Sequence, residues 1–274
     1  MKFTHEDLLK NGYKLVFEDH FDNGIDDKVW YKFDTHNERG HMDRAIWRNP
    51  ENIYTRDSNL IIKGSIDDDP ENGGKKYNCG RIQIKNFTYK YGYAEARAKI
   101  AVAGPGIWMG FWMCARERDN GVNSEIDVAE MFGDDTRIAS NIHGWWFDRN
   151  YGKQHRFNFL DGKNYPKVKE LPNGERFSDK YHNFGYYWTP DFVEFLVDGE
   201  SFCHIDIKNP MFALCHSPLY FIFSMLYGSK NRPQPIEDRT EPIEFCIDYL
   251  RLYQDDRGEI FDINEKGEAI KREK

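Results

Sequence analysis

Three acidic residues, Glu125, Asp127 and Glu130, lie within six positions of the otherwise mostly apolar segment Ser124–Phe132. The branched and aromatic neighbours of these acids favour a β-strand. Ionised side chains are costly away from water, so three carboxylates on such a strand indicate a chemical site. Two carboxyl groups about 5–5.5 Å apart are the arrangement of retaining glycoside hydrolysis, in which one attacks and the other donates a proton. The competing interpretation is a charged strand edge whose acids are solvated.

The spacing of the acids predicts an irregularity in the strand. Side chains alternate between faces, so Glu125 and Asp127 share one face, whereas Glu130, five positions from Glu125, would point to the other. One extra residue, a β-bulge, returns Glu130 to the face of its partners, and bulges occur beside active sites. The two glutamate Cα atoms would then lie roughly 13 Å apart, close enough for the side chains to converge over Asp127.

Five segments of the chain resemble one enzyme family. Residues 125–130, Glu-Ile-Asp-Val-Ala-Glu, resemble the Glu-x-Asp-x-x-Glu signature of glycoside hydrolase family 16 in its bulged form. Four further segments resemble the family in the same order along the chain: residues 91–97, 106–113, 188–199 and 245–253. Together the matches extend over about residues 13–254.

The resemblance implies an all-β fold, a β-jelly roll sandwich of two curved antiparallel sheets with a concave substrate cleft. We expect a single domain over residues 1–254, followed by a charged and mobile C-terminal tail, residues 255–274. By carry-over, Glu125 is the nucleophile, Asp127 the assisting acid and Glu130 the acid/base of a retaining endo-β-glycosidase. The implied substrate is a β-1,3- or β-1,3-1,4-glucan, cleaved at internal linkages.

The chain departs from the family pattern in two places. Residues 119–123 stand where β-1,3-glucanases often have a Trp-Pro, and residues 225–233 replace an Ala-Val-Gly-Gly-x-Trp-Pro stretch. The alternative is therefore an endo-β-galactosidase acting on a galactan of the agarose, porphyran, keratan or mucin type. A non-catalytic glycan-binding relative is a further alternative, which the presence of both glutamates opposes. A transglycosylase uses the same covalent intermediate as a hydrolase.

Two tryptophans and a histidine are candidate substrate-binding residues. Trp108 and Trp112 are four positions apart on an apolar strand, so they share a face, which is either the cleft floor or the core. We expect at least one of them in the cleft. His143 matches a family histidine near the acid/base, although a structural role is the competing interpretation.

Three further candidates come from polar or aromatic segments. Asn37 and Trp47 lie in residues 34–50, and in relatives the equivalent loop reaches over the cleft. Trp47 would either stack on sugar or pack in the core. Trp145 and Trp146 are adjacent and face opposite ways, so one of them is expected to stack on sugar.

The resemblance also implies a candidate structural calcium site. Family members often hold Ca²⁺ with the turn at Glu18–Asp22, a carbonyl near Ser58 and a closing-strand aspartate, here Asp248. Oxygen ligands from scattered strands suit this ion. No cofactor is expected for catalysis. A short helix is predicted over residues 4–11 with Thr4 as N-cap, and Glu95 and Arg97 are predicted to form a surface pair.

Composition limits the partners. The net charge of −8 opposes binding to nucleic acid or anionic membranes. No apolar run is long enough to span a bilayer, and no signal peptide is recognisable, although the family is commonly secreted, so localisation stays open. The five cysteines are odd in number and form no Cys-x-x-Cys pair, which favours free buried thiols. We expect a monomer whose partner is a polysaccharide or oligosaccharide substrate.

Overall fold

The computed structural model describes residues 3–38, 46–69, 74–115, 122–148, 153–158, 168–209, 212, 215–227 and 243–273. Within these ranges, residues 35–38, 46–48, 67–69, 74–76, 122–123, 145–148 and 153–158 are described by their backbone alone. The predicted N-terminal helix is confirmed as α1 (His5–Lys10), where the Thr4 side chain accepts a hydrogen bond from the Asp7 backbone N–H. In the described part of the chain, no helix has the length and apolar character needed to cross a bilayer.

Strands make up most of the fold, which confirms the predicted all-β class. In chain order they are β1 (Lys14–Asp19), β2 (Trp30–Lys32), β3 (Thr35–Glu38), β4 (Ile46–Arg48), β5 (Ile53–Arg56), β6 (Asn59–Asp69), β7 (Gly74–Ile84), β8 (Phe87–Lys90), β9 (Gly92–Lys99), β10 (Ile107–Ala115), β11 (Val122–Met131), β12 (Arg137–Asp148), β13 (Lys153–Asn158), β14 (Val168–Glu170), β15 (His182–Trp188), β16 (Phe192–Val197), β17 (Glu200–Asp206), β18 (Leu219–Tyr227), β19 (Ile243–Gln254), β20 (Glu259–Ile263) and β21 (Ala269–Lys271).

Two sheets form the sandwich. The back sheet runs β17-β16-β15-β9-β19, and the far edge of β19 pairs with both β1 and the β6–β5 ribbon. The front sheet runs β2-β7-β18-β10-β11-β12, with β13 and β14 beyond β12. All of these pairings are antiparallel, and the predicted jelly roll is confirmed. The acid-bearing strand β11 is therefore an interior strand of the front sheet.

The core lies between the two sheets and fixes which face of each strand is buried. On β10, the odd-numbered residues Ile107, Met109, Phe111 and Met113 are at most 1% exposed. Because side chains alternate along a strand, the even-numbered residues of β10 point away from the core. We call this outer side of the front sheet the cleft face. All five cysteines are buried and free, as predicted from the sequence.

The C-terminal tail is folded, so the prediction of a mobile tail is wrong. Strand β20 pairs with β8, and β21 folds back on β20 as a hairpin. Ile260 is only 8% exposed and joins the main core cluster. Arg272 and Lys271 form ion pairs with Asp262 and Glu259 on the facing strand. The charged residues that suggested mobility form part of this hairpin.

Glu95 is buried on the outer side of the back sheet, so the predicted surface pair with Arg97 is wrong. Its two carboxylate oxygens accept hydrogen bonds from the hydroxyls of Tyr93, at 2.8 Å, and Tyr249, at 3.1 Å. Arg97 pairs with Asp248 instead. Burial raises the pKa of Glu95 above its ordinary value, although the two hydroxyl donors act in the opposite direction.

The raised pKa of Glu95 predicts a pH-dependent cost to stability. For a carboxyl whose folded pKa is raised, the stabilising contribution is complete below the unfolded pKa of about 4.5 and is lost as pH rises through the folded pKa. Glu95→Gln keeps an acceptor and never ionises. Its melting temperature should exceed that of the parent at pH 7–8 and converge with it near pH 4. Thermal unfolding across this range measures the effect.

The control for this prediction is Glu200→Gln, which changes an exposed glutamate on β17. This variant should follow the pH dependence of the parent. A Glu95→Gln difference that stays constant from pH 4 to pH 8, or a parent protein that is the more stable at pH 8, would contradict the assignment.

Candidate active site

A β-bulge lies in β11 at Val128, where the sequence predicts one. Phe111 of β10 pairs with Ala129, and the next residue, Trp112, pairs with Asp127, so Val128 is passed over. The pairing of β11 with β12 shifts by one residue over the same interval. The prediction of one extra residue between the second and third acids is confirmed.

Ser140 supports the bulge from the neighbouring strand. A bulge interrupts the hydrogen-bond ladder, and a buried backbone group without a partner is costly. The Ser140 hydroxyl, which is fully buried, donates to the Val128 carbonyl oxygen at 2.6 Å. Ser140 was not predicted from the sequence. Only the pairing of β11 with β12 places Ser140 beside the bulge, and the sequence alone does not reveal that pairing.

Two of the acids lie beside His143. Asp127 is 3% exposed, and its Oδ2 atom lies 3.2 Å from Nε2 of His143. His143 is directly opposite Glu125 in the pairing of β11 with β12. One side-chain oxygen or nitrogen of each of these three residues lies within 4.8 Å of the others, close enough to hold a cation if one were present. His143 therefore forms a polar cluster with Glu125 and Asp127.

The third acid turns to the same face and is held there by Trp108. The indole Nε1–H of Trp108 donates to Oε1 of Glu130 at 3.0 Å. Gly110 lies directly opposite Glu130 on β10, and a Cβ atom there would lie 3.2 Å from Cδ1 of Trp112. A glycine at this position therefore leaves room for the Trp112 indole ring. The structure thus brings together on the cleft face all three residues predicted to be catalytic.

Trp112 begins a path of rings that crosses the front sheet. Its Nε1–H donates to the Ser224 hydroxyl at 3.0 Å, and the Arg81 guanidinium carbon lies 4.9 Å from the ring centroid. The same guanidinium lies 4.4 Å from the ring of Phe33. Tyr31, on edge strand β2, meets Phe33 edge-on at 4.9 Å and is 46% exposed. No role was predicted from the sequence for Ser224, Phe33 or Tyr31.

The remaining substrate-binding candidates divide into two groups. Trp108 and Trp112 share the cleft face and are both partly exposed, as their spacing predicts. Asn37 on β3, Trp47 on β4 and Trp145 on β12 are placed by their backbone, and their side chains lie outside the described residues. Of the two segments that depart from the glucanase pattern, only residues 122–123 and 225–227 are described.

Two of the residues predicted to hold calcium, Asp248 and Asp19, are engaged by other groups of the protein. The carboxylate of Asp248 is paired with the guanidinium of Arg97, which places a positive charge where a cation would bind. The oxygens of Asp19, in the turn that would supply other ligands, accept hydrogen bonds from the Phe21 backbone N–H and the Trp30 indole, each at 2.8 Å. Protein donors therefore occupy both carboxylates.

Known proteins are similar to this chain over most of its length. Residues 15–254 match the family described as beta-porphyranase A-D, GH16 domain. Glucan endo-1,3-beta-glucosidase A1 of Niallia circulans is 26% identical over 92% of this chain and 39% of its own length. The beta-1,3-glucan-binding protein of Penaeus monodon is 28% identical over 67% of this chain and 60% of its own. The chain thus spans less than two thirds of the length of each of these curated relatives.

A solved structure shares both the fold and part of the sequence. The catalytic domain of an endo-1,3-beta-glucanase (laminarinase) from Thermotoga petrophila superposes with a TM-score of 0.66 and 25% identity, over 89% of this chain and 98% of that domain. The family match covers the bulged acid strand, both partner strands and the closing strand β19. The chain therefore belongs to glycoside hydrolase family 16, and its match is to the beta-porphyranase A-D group of that family.

Proposed function

We propose that this chain is a retaining endo-β-glycosidase that hydrolyses internal β-linkages of a polysaccharide. The observation that carries the proposal is the bulge at Val128, because it gathers two glutamates and an aspartate from one strand on the cleft face. Family membership supports the assignment. The glycan-binding relative remains less well supported, because a binding protein has no need of this carboxylate group.

In the first step, the Glu125 carboxylate attacks the anomeric carbon while the glycosidic bond breaks. The leaving oxygen takes the bond's electron pair and receives the proton held by Glu130. The product is a covalent glycosyl ester on Glu125. Asp127, which contacts His143 at 3.2 Å, orients the polar groups beside the nucleophile and balances the charge around it.

In the second step, Glu130 has become a carboxylate and takes a proton from water. The water oxygen attacks the anomeric carbon, the ester bond to Glu125 breaks, and the β-configuration is restored. An acceptor sugar in place of water would give transglycosylation through the same intermediate. The carboxyl groups and water suffice for both steps, so the proposal requires no metal ion or cofactor.

The first substrate candidate is a β-1,3- or β-1,3-1,4-glucan, because the matched glucosidase and laminarinase carry such names. The path of rings from Trp112 to Tyr31 supports an extended chain bound across the strands. Neighbouring strands are about 4.8 Å apart, so the path from β10 to β2 crosses roughly 14 Å, the length of several sugar residues.

The second candidate is a galactan, because the matched family description names porphyranases. Arg81 favours an anionic form of such a glycan, since a guanidinium on the binding path can form paired hydrogen bonds with a sulfate or carboxylate. The two candidates make different demands on the same cleft face. A neutral glucan requires ring stacking, whereas a charged galactan also requires the cation.

A substrate panel tests the proposal and separates the candidates. Reducing ends and viscosity are followed on laminarin, lichenan, agarose, porphyran, carrageenan and mucin-type galactans, and an endo-acting enzyme lowers viscosity early. Arg81→Met should lower kcat/KM at least roughly tenfold on a sulfated galactan and less on the desulfated polymer. Equal losses on both polymers would remove the case for an anionic substrate, and no cleavage of any polymer would contradict the hydrolase assignment.

The roles of the two glutamates are tested by chemical rescue. Glu125→Ala and Glu130→Ala should each lower kcat by at least about 100-fold while the fold is retained. With an activated aryl glycoside and azide, Glu125→Ala should give the α-glycosyl azide, because azide replaces the nucleophile directly. Glu130→Ala should give the β-glycosyl azide, because azide attacks the covalent intermediate. Nuclear magnetic resonance of the products distinguishes the two.

The two variants serve as controls for each other in this experiment. Unchanged turnover in both variants rejects the active site. The opposite pair of products would exchange the roles of Glu125 and Glu130 and leave the site in place.

A further inference from the structure

We propose that Trp108 is a positioning residue that holds the Glu130 carboxyl group and determines which of its two oxygens carries the transferable proton. The inference rests on the proposed acid/base role of Glu130. It differs from the sugar-stacking role that the sequence suggests for Trp108, because it concerns the edge of the indole ring and its N–H group rather than the ring face.

The indole ring is held firmly enough to act in this way. Trp108 lies on β10, an interior strand of the front sheet, and pairs with Leu226 on the adjacent strand β18. Its ring packs against that of Phe132, immediately after the end of β11, with centroids 5.4 Å apart. The N–H then meets Oε1 of Glu130 at 3.0 Å, an ordinary hydrogen-bond length. The donor and the acid are thus fixed on neighbouring strands.

The chemistry of the indole group decides the direction of this hydrogen bond. An indole N–H donates and cannot accept, so Oε1 of Glu130 must offer a lone pair in both protonation states. The proton for the leaving oxygen therefore resides on Oε2. A carboxyl group without this partner has two equivalent oxygens, and only one of them faces the glycosidic bond in a given rotamer.

The same hydrogen bond acts in both halves of the reaction. When Oε2 has passed its proton to the leaving oxygen, the N–H still donates to Oε1 and stabilises the new carboxylate. Water then returns a proton to Oε2, because Oε1 remains engaged. Trp108 thus favours proton release in the first step and directs the second proton to the same oxygen.

Trp112 supplies a comparison within the same strand. It lies on the same face as Trp108 and also donates through its indole N–H, but its acceptor is the hydroxyl of Ser224 and not a carboxylate. Replacing either indole with a phenyl ring removes one N–H and keeps an aromatic ring. Only the change at Trp108 removes a donor from the acid/base.

The test compares Trp108→Phe with Trp112→Phe in the full chain. In Trp108→Phe the basic limb of the kcat/KM–pH profile should move up by about one pH unit, because the Glu130 carboxylate loses a hydrogen-bond donor that stabilises its charged form. Its kcat on polysaccharide should fall roughly tenfold. An aryl glycoside with a good leaving group, which needs little proton donation, should be affected less.

The comparison isolates the indole hydrogen bond from other charges on the cleft face. Both variants keep the titratable and charged groups that share the described cleft face with Glu130: Glu125 and Asp127 on β11, Cys114 on β10, His143 on β12 and Arg81 on β7. Trp112→Phe should change KM and leave the basic limb in place. If the smaller ring loosens the site, replacement of Trp108 by 3-benzothienylalanine keeps a bicyclic ring and removes only the N–H.

The outcomes separate this inference from the proposed function. A Trp108 variant whose pH profile and leaving-group dependence match the parent, or an equal shift in Trp112→Phe, overturns the positioning role. Full turnover of polysaccharide by Glu130→Gln would instead overturn the acid/base assignment on which the inference rests.

Discussion

The site depends on a single extra residue in the acid-bearing strand. Strand β11 must bury Ile126 and Met131 against the core and also present its carboxylates on the opposite face. A regular strand cannot meet both demands, because the first and last acids are five positions apart. The bulge at Val128 changes the phase between them, and the buried Ser140 hydroxyl compensates for part of the interrupted ladder. The arrangement of the three acids is therefore maintained by the packing of the sandwich.

The carboxylates are held from both neighbouring strands. Strand β12 supplies His143 to Asp127, and β10 supplies Trp108 to Glu130. Strands are spaced about 4.8 Å apart, which places side chains of adjacent strands within hydrogen-bonding reach. Groups fixed on interior strands hold their geometry better than groups on loops, so the chemistry has a rigid base. The parts that would select a substrate lie farther from this base, along the path that ends at Tyr31.

Features that depend on local periodicity could be predicted from the sequence. The parity of the acids indicated the bulge, and the spacing of Trp108 and Trp112 indicated a shared face. The partner of Trp112 could not be found in this way, because Ser224 is 112 positions away and is located only by the pairing of β10 with β18. The burial of Glu95 also escaped prediction, since Tyr93 and Tyr249 come together only after the back sheet has formed. The hairpin of the C-terminal tail was not predicted, because the many charged residues of this segment suggested mobility although Ile260 is buried.

Glu125 and Glu130 are proposed to act on one sugar residue from the same sheet face. A crystal structure of the protein trapped with an activated 2-deoxy-2-fluoro-β-glycoside would show this arrangement. We expect an ester bond between the anomeric carbon and Glu125, with the Glu130 carboxyl group on the same face, about 5–5.5 Å from that of Glu125. An ester on any other residue, or a Glu130 side chain directed into the core, would rule out the proposed roles of the two glutamates.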